Sequence, residues 1–398
     1  MLTASSAFAD NAVHGRLALQ DLGAFASDDS LDAALGAQDR NDISGNLRLT
    51  WEPEWGAWNA GVHYVLAGDY GDAARLSRLE RGLLPQPPST WFNLTNTFED
   101  HGNIAASQTI DRLFVAYATP DFVVRLGRQA LTWGGGLVFR PMDLFDPFAP
   151  NATDTEFKPG TDMLYTQFLF GDGSDLQAIA VPRPAVKGGG PTMDASSFAT
   201  HFRTTLSGLG ATLLVARDHG DWTLAAELSG PWAGATWDLE LVPTILRSGP
   251  TRISALANIS DAMTLLDRNA TLFAEYFHNG FGVTGDTTIA TLPPDLIDRL
   301  SRGQVFDTRQ NYLAGGMTLE WTPLLNLTPT LIANLDDGSV FLLGAATWSL
   351  SDDMTLIGGV QLPLGRRDSE FGGLPVSPAV PATVSASPNL YIQLRRYF

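Results

Sequence analysis

The sequence has no cysteine, no long apolar run and a shortage of basic residues, and each lack removes a class of protein. Without cysteine among 398 residues there is no disulfide framework and no thiolate metal site, which suits a chain exported through an oxidising periplasm. No stretch approaches the roughly 20 uninterrupted apolar residues a membrane helix needs, so helical membrane proteins are excluded. Lys and Arg number 25 against 43 Asp and Glu, and a net charge of −18 argues against a nucleic-acid partner, whose phosphates call for surplus cations. The six histidines are scattered without ligand spacing, and the H-E-x-x-H, G-x-S-x-G and P-loop patterns are all missing. No catalytic residue, cofactor or metal is therefore assigned. An enzyme would require a Ser, a His and an acid converging from separate strands. Asp172-Gly-Ser-Asp175 and Asp336-Asp-Gly-Ser339 are explained by turn chemistry without invoking calcium.

What is present is period-two alternation. Leu47, Leu49 and Trp51 alternate with Asn46, Arg48, Thr50 and Glu52, and Trp222, Leu224, Ala226 and Leu228 alternate with Thr223, Ala225 and Glu227. Strands are expected at 12–22, 43–52, 57–68, 108–119, 121–130, 161–170, 174–182, 197–206, 209–217, 220–228, 232–242, 251–259, 270–281, 309–321, 324–334, 338–349, 352–363 and 387–398, about 18 in all. Their connections mostly alternate in length. Tight turns are expected at 52–56, 119–121, 171–173, 207–208, 230–231, 322–323 and 351–353; long segments at 23–42, 69–107, 131–160, 183–196, 282–308 and 364–386. Connections 217–219 and 335–337 are short on the long-loop side, and 260–269 is long on the other. The pattern implies an all-β fold: a closed antiparallel transmembrane barrel with short periplasmic turns and long extracellular loops. A soluble sandwich shares the period but not this asymmetry. Trp51, Trp58, Trp222, Trp232, Trp321, Trp348 and Tyr397 are expected to form the interfacial girdle.

The C-terminal run Asn389-Leu-Tyr-Ile-Gln-Leu-Arg-Arg-Tyr-Phe398 resembles the terminal signature of Gram-negative outer-membrane proteins, with Leu390, Ile392, Leu394 and Phe398 on one face. It departs from that signature at Arg396, with the aromatic displaced to Tyr397. The resemblance implies insertion into the bacterial outer membrane by the barrel-assembly machinery, which reads this strand, and outer-membrane lipid and lipopolysaccharide as surroundings. Segment 126–150, with Gly127-Arg128-Gln129, Trp133-Gly134 and a loop rich in Pro, Asp and Phe, resembles alginate-export-type and related porin-like barrels. That implies a channel of about 18 strands with a loop turning back into the lumen. The closing strand is expected to pair antiparallel with the segment near Val13 to Leu22.

Facing the lumen, the early strands would supply Arg16, Arg48, His63, Arg112 and Arg125, with Gln129, and the later ones Glu227, Asp238, Glu240 and Glu275. A basic wall opposite an acidic one sets a field across the pore that tunes ion selectivity. Alternatively, the charges pair and hydrate a filled lumen, and a register slip of one would invert every assignment. Loop 131–160 is the candidate constriction: Gly134, Gly135 and Gly136 permit a sharp fold, Pro141, Pro147 and Pro150 stiffen it, and Arg140, Asp143, Asp146, Asp154 and Glu156 carry both signs to it. The same charges could brace the loop to the wall. Helical spacing marks 72–84 and 294–302 as lids on the barrel mouth, and 184–191 and 372–388 read as mobile loops. Ala7-Phe8-Ala9 fits a secretory cleavage site, so residues 1–9 are expected to be the remnant of a signal peptide and 10–398 a single barrel domain. The expected function is passive passage of small hydrophilic or anionic solutes. The alternatives are a surface-binding or structural barrel with a plugged lumen, serving polysaccharide attachment or export, and the barrel enzyme.

Overall fold

Alternation leaves each strand apolar on one side and polar on the other, and an isolated sheet so built would expose an unpaired edge. Closure removes the edge. The computed structural model, which describes residues 12–83 and 89–398, contains eighteen strands that form one antiparallel ring. The first nine are β1 (Val13–Phe25), β2 (Asp39–Trp51), β3 (Trp58–Tyr70), β4 (Ile104–Ala118), β5 (Phe122–Gln129), β6 (Thr161–Leu169), β7 (Asp175–Val181), β8 (Ser197–Leu206) and β9 (Leu209–Asp218). The rest are β10 (Asp221–Trp232), β11 (Ala235–Ile245), β12 (Thr251–Leu265), β13 (Arg268–His278), β14 (Asn311–Thr322), β15 (Leu325–Asn334), β16 (Val340–Ser351), β17 (Met354–Leu364) and β18 (Asn389–Tyr397). Each pairs with its neighbours in sequence, and β18 returns to β1 in the register Arg16↔Tyr397 to Ala24↔Asn389. Two short side strands, Glu54–Trp55 and Thr95–His101, extend hairpins beyond the ring.

The expected seam is therefore present. Gly15 N–H donates to the Phe398 carbonyl at 2.7 Å and Phe398 N–H donates to Gly15 at 3.0 Å. The Phe398 ring lies over Gly15 so closely that a Cβ there would come within 2.3 Å of it, so any larger residue would displace the ring from the joint. Arg396 falls on the outward face and reaches Asp353 of the adjoining turn at 3.5 Å, keeping its charge at the barrel's end.

Leu224, Leu228, Leu239 and Leu241 face outward, while Thr223, Ala225, Asp238 and Glu240 are buried inside. All the tryptophans expected in the girdle are outward and exposed: Trp51, Trp58, Trp232, Trp321 and Trp348 at the short-turn end, Trp222 at the other. Tyr397 is a correction: it points inward, its hydroxyl donating to Glu156 at 3.0 Å, because Phe398 and not Tyr397 shares the outward face of Leu394.

Two turns also need correcting. The one expected at 230–231 lies at Ala233–Gly234, and the long connection expected at 260–269 is the tight turn Leu266–Asp267. Both pairs have positive φ at each residue (52° and 99°; 53° and 58°), as does Ser207–Gly208 (52° and 85°), the backbone that matches strand twist in a two-residue hairpin. Leu266 and Asp267 carry little of the glycine signal for such a turn, so the sequence does not mark where the strands end.

At the long-loop end, α1 (Leu31–Ala34), α2 (Asp72–Leu83) and α3 (Pro294–Ser301) include both expected helices. Segment 372–388, expected to be mobile, contains a hairpin of Leu374–Ser377 and Val380–Val384, with Leu374 and Thr383 buried and Thr383 N–H bonded to the Asp29 carbonyl at 2.8 Å. Across 184–191, Pro184 and Pro191 form an isolated bridge. The proposed signal-peptide remnant, 1–9, lies outside the described residues.

Candidate functional site: the lumen and its inward loop

Loop 130–160 leaves β5, crosses the barrel interior and returns to β6. Its first half is driven inward by apolar burial. Trp133, Met142, Leu144 and Phe145 pack against Met163, Ile179, Val181 and Leu214 of the inner wall. Phe139 stacks on Phe277 at 4.7 Å and lies 5.4 Å from Tyr312. The Trp133 indole N–H donates to Gln177 at 2.8 Å while its ring stacks on His201.

Between these anchors the glycines bring backbone onto the acidic wall. A Cβ on Gly135 would lie 2.8 Å from the Asp238 carboxylate, so the three glycines serve close approach as much as bending. Glu240 accepts from Gly135 N–H at 2.7 Å. Glu275, 1% exposed, accepts from Leu137, Val138 and Phe139 N–H at 2.6, 2.9 and 2.8 Å. Three successive amides converging on one carboxylate form an anion-binding concavity, here filled by the wall itself. Asn258 closes the set by donating to the Gly135 carbonyl at 3.1 Å. Glu227 lies across the strand pair from Glu240, and neither Asp238 oxygen has a hydrogen-bond partner among the described residues.

The second half of the loop carries carboxylates to the basic wall, on β18, β1 and β2. Arg16 binds Asp154 at 2.9 Å and Glu156 at 2.8 Å, and Arg395, on β18, shares both at 3.2 and 3.3 Å. Arg48 pairs with Asp111 at 2.7 Å and its guanidinium sits 4.2 Å over the Phe157 ring. Arg112 also binds Asp111, at 2.9 Å, and donates to the Lys158 carbonyl. His63 lies toward the short-turn end, 2.7 Å from Glu52. Within the loop, Asp143 and Lys158 form a buried pair at 2.6 Å, and Asp146, at φ 54°, accepts from Thr161.

Thus the loop is strapped between both walls, backbone N–H on the acidic side and carboxylates on the basic side. Two of the arginines named from sequence stay outside this pairing. Arg125 lies 4.7 Å over the Phe114 ring, and neither Arg125 nor Arg140 makes an ion pair among the described residues. Gln129, 2% exposed, bonds to main-chain carbonyls at 3.3–3.4 Å and is a piece of wall.

Sequence reasoning missed Asp111, Phe157 and Arg395. Alternation puts Asp111 outside because Arg112 is inside. A bulge in β4 opposite His63 and Tyr64 turns both inward, and nothing local announces it.

Above the loop, a polar cavity of about 580 Å³ opens between it and α3, lined among others by Asp146, Asp154, Phe157, Arg183, His219 and Arg302. Burial pushes His219 down to about 4, with Arg302, Arg183 and Arg299 adding to the effect and Asp218 opposing it, so this outer-turn imidazole is neutral at ordinary pH. Helix α3 is bolted down by Arg299, which binds Asp221 at 2.6 Å and Asp218 at 3.4 Å, and by Leu296, buried against Phe281 and Leu292. The other latch centres on Glu370, which accepts from Thr308 N–H, Tyr312 hydroxyl and Asn334 amide at 2.5, 2.6 and 2.7 Å. Burial pushes both Glu370 and nearby Asp307 above the usual carboxylate range, and Glu370 raises Asp307 further. Among the described residues no group of His, Cys, Asp or Glu is arranged to hold a metal.

No protein-family model and no curated protein sequence matches the chain. Solved structures do. Acinetobacter baumannii OccAB1 superposes with a TM-score of 0.57 at 12% identity, covering 99% of this chain and 98% of that one. A BenF-like porin from Pseudomonas fluorescens gives 0.54 at 11%, covering 98% and 99%. Wzi, an outer-membrane protein of Escherichia coli involved in group 1 capsule assembly and described as a carbohydrate-binding β-barrel, gives 0.56 at 8%, covering 96% and 83%. These likenesses show the fold: a closed antiparallel barrel of the outer-membrane porin type. None of the three is described as an alginate-export protein.

Proposed function

We propose that the protein is an integral outer-membrane channel through which small hydrophilic solutes, anions above all, pass passively. The observation that carries this reading is the polar cavity of about 580 Å³ above the loop, lined by Arg183, Arg302 and Asp154, with the Asp154 carboxylate in turn bound to Arg16 and Arg395 of the wall. An entering carboxylate or phosphate meets arginines already arranged for oxyanions and exchanges with Asp154 or Glu156, so it need not shed water into an apolar interior. The apolar half of the lumen is closed by the packed loop, which directs traffic to the charged half. Assembly through recognition of the β18 strand belongs to the same proposal, as does the kinship of segment 126–150 to alginate-export-type barrels.

The test is conductance of the purified protein in a planar bilayer, with reversal potential measured in a salt gradient. Discrete open-channel current with anion preference is expected. A protein that folds and inserts yet carries no current at any voltage would overturn the channel and leave a plugged, carbohydrate-binding barrel.

A further inference from the structure

On the barrel's outer wall the sequence places an arginine and an aspartate where lipid should be. Arg128 lies directly across from Leu113 on β4 and from Asp162 on β6, and Leu113, Leu126, Leu164 and Phe198 on the same face are exposed apolar residues. A bare charge pair in the lipid belt is unfavourable. This pair is not bare. Arg128 binds Asp162 at 2.8 and 3.0 Å, and both are capped by Phe92, whose N–H donates to Asp162 at 2.9 Å and whose carbonyl accepts from Arg128 at 2.5 Å. The ion pair is a clasp that holds the stacked Trp91 and Phe92 rings, 4.6 Å apart, across the outside of the wall. Between this flap, Met193 and the wall lies an apolar cavity of about 740 Å³, floored by Leu126, Leu164 and Ala180. It sits at the long-loop end, since Gln129 and Thr161 are the outer ends of their strands.

We propose that this groove binds an acyl chain of a phosphorylated glycolipid of the outer leaflet. Its place on the lipid-facing surface, and its size within the ~300–1,000 Å³ of small-molecule sites, fit a hydrocarbon chain. The groove is roofed by the protein's own flap, so the convex wall of a second barrel cannot enter it, whereas a single chain can. The rim supplies the head-group chemistry. Arg217, beside Phe198 on the outward face, and Arg247 share the one carboxylate of Asp194 at 3.3 and 2.8 Å, leaving a net positive charge where a phosphate would lie. This inference rests on the outer-membrane reading above, which fixes which leaflet the long-loop end meets.

The experiment is native mass spectrometry of the full-length protein in detergent, with added lipid A or phosphatidylethanolamine, alongside a separate assay of insertion into lipid vesicles. The wild type should retain one lipid A and bind phosphatidylethanolamine about tenfold more weakly. Ala180→Trp, which fills the groove floor from outside, should lose the lipid by about tenfold, and Arg217→Glu with Arg247→Glu should lose the preference for lipid A. Equal retention by Ala180→Trp, equal binding of both lipids, or a dimer or trimer in place of the lipid adduct would overturn the proposal. A protein that inserts but binds no lipid A refutes the groove alone; one that cannot insert refutes the membrane reading and the groove with it.

Discussion

If the lumen conducts as proposed, Arg125 and Arg140, whose guanidinium groups make no ion pair among the described residues, add to the anion preference set by Arg16 and Arg48. Reversing either, as Arg125→Glu or Arg140→Glu, is expected to move the reversal potential in a salt gradient toward cations. An unchanged potential would mean that neither side chain faces the conducting path. Glu275 is the opposite kind of residue: it is buried and its carboxylate is occupied by three loop amides. Losing this acceptor leaves buried N–H groups unsatisfied at about 1–3 kcal/mol each, so Glu275→Ala should lower the urea midpoint of unfolding, and because the loop loses its grip it should raise conductance. Lower stability with unchanged conductance would separate the anchor from the constriction. Alternation alone assigns Arg125 and Glu275 to the inward face of their strands, whereas Arg140 is named from the composition of the loop. Their partners are not legible, because Glu275 meets Leu137 to Phe139 only once β13 and the loop are brought together in space, and a bulge hides Asp111.

At the scale of elements, loop 130–160 behaves as a strap whose two halves use different physics. Its first half is held by apolar packing and by amides on carboxylates; its second by carboxylates on arginines. Composition betrayed the loop, through its glycines and prolines, but not which wall each half would seek. The outer latch joining segments 279–310 and 365–373 is a separate element with its own pH dependence. Glu370 and Asp307 have carboxyls raised above their unfolded values, so their stabilising contribution is complete below the ordinary range of about 4 and is lost as pH rises through the raised values. Amide protection at Thr308 and Glu370, corrected for intrinsic exchange, should therefore be higher near pH ~5 than near pH ~8. Protection that rises with pH would contradict this account. Helix α3, held by Arg299 and a packed Leu296, should show no such change.

For the whole molecule, strand number, sidedness and closure were all readable from the sequence, since barrel strands carry their own alternation and their connections carry the asymmetry. What failed were turns such as Leu266–Asp267, where positive φ falls on residues that do not advertise it. The seam between β1 and β18 makes closure testable. Deleting Phe398 removes the aromatic that covers Gly15 and the last pair of backbone bonds across the joint, and should reduce the yield of folded, heat-modifiable barrel in the membrane fraction. Undiminished yield would show that β18 pairs without its terminal ring. The most direct test of the central claim is the planar-bilayer recording itself. The account predicts discrete open-channel current with a reversal potential displaced toward anions; a folded, inserted protein that stays electrically silent at every voltage would contradict it.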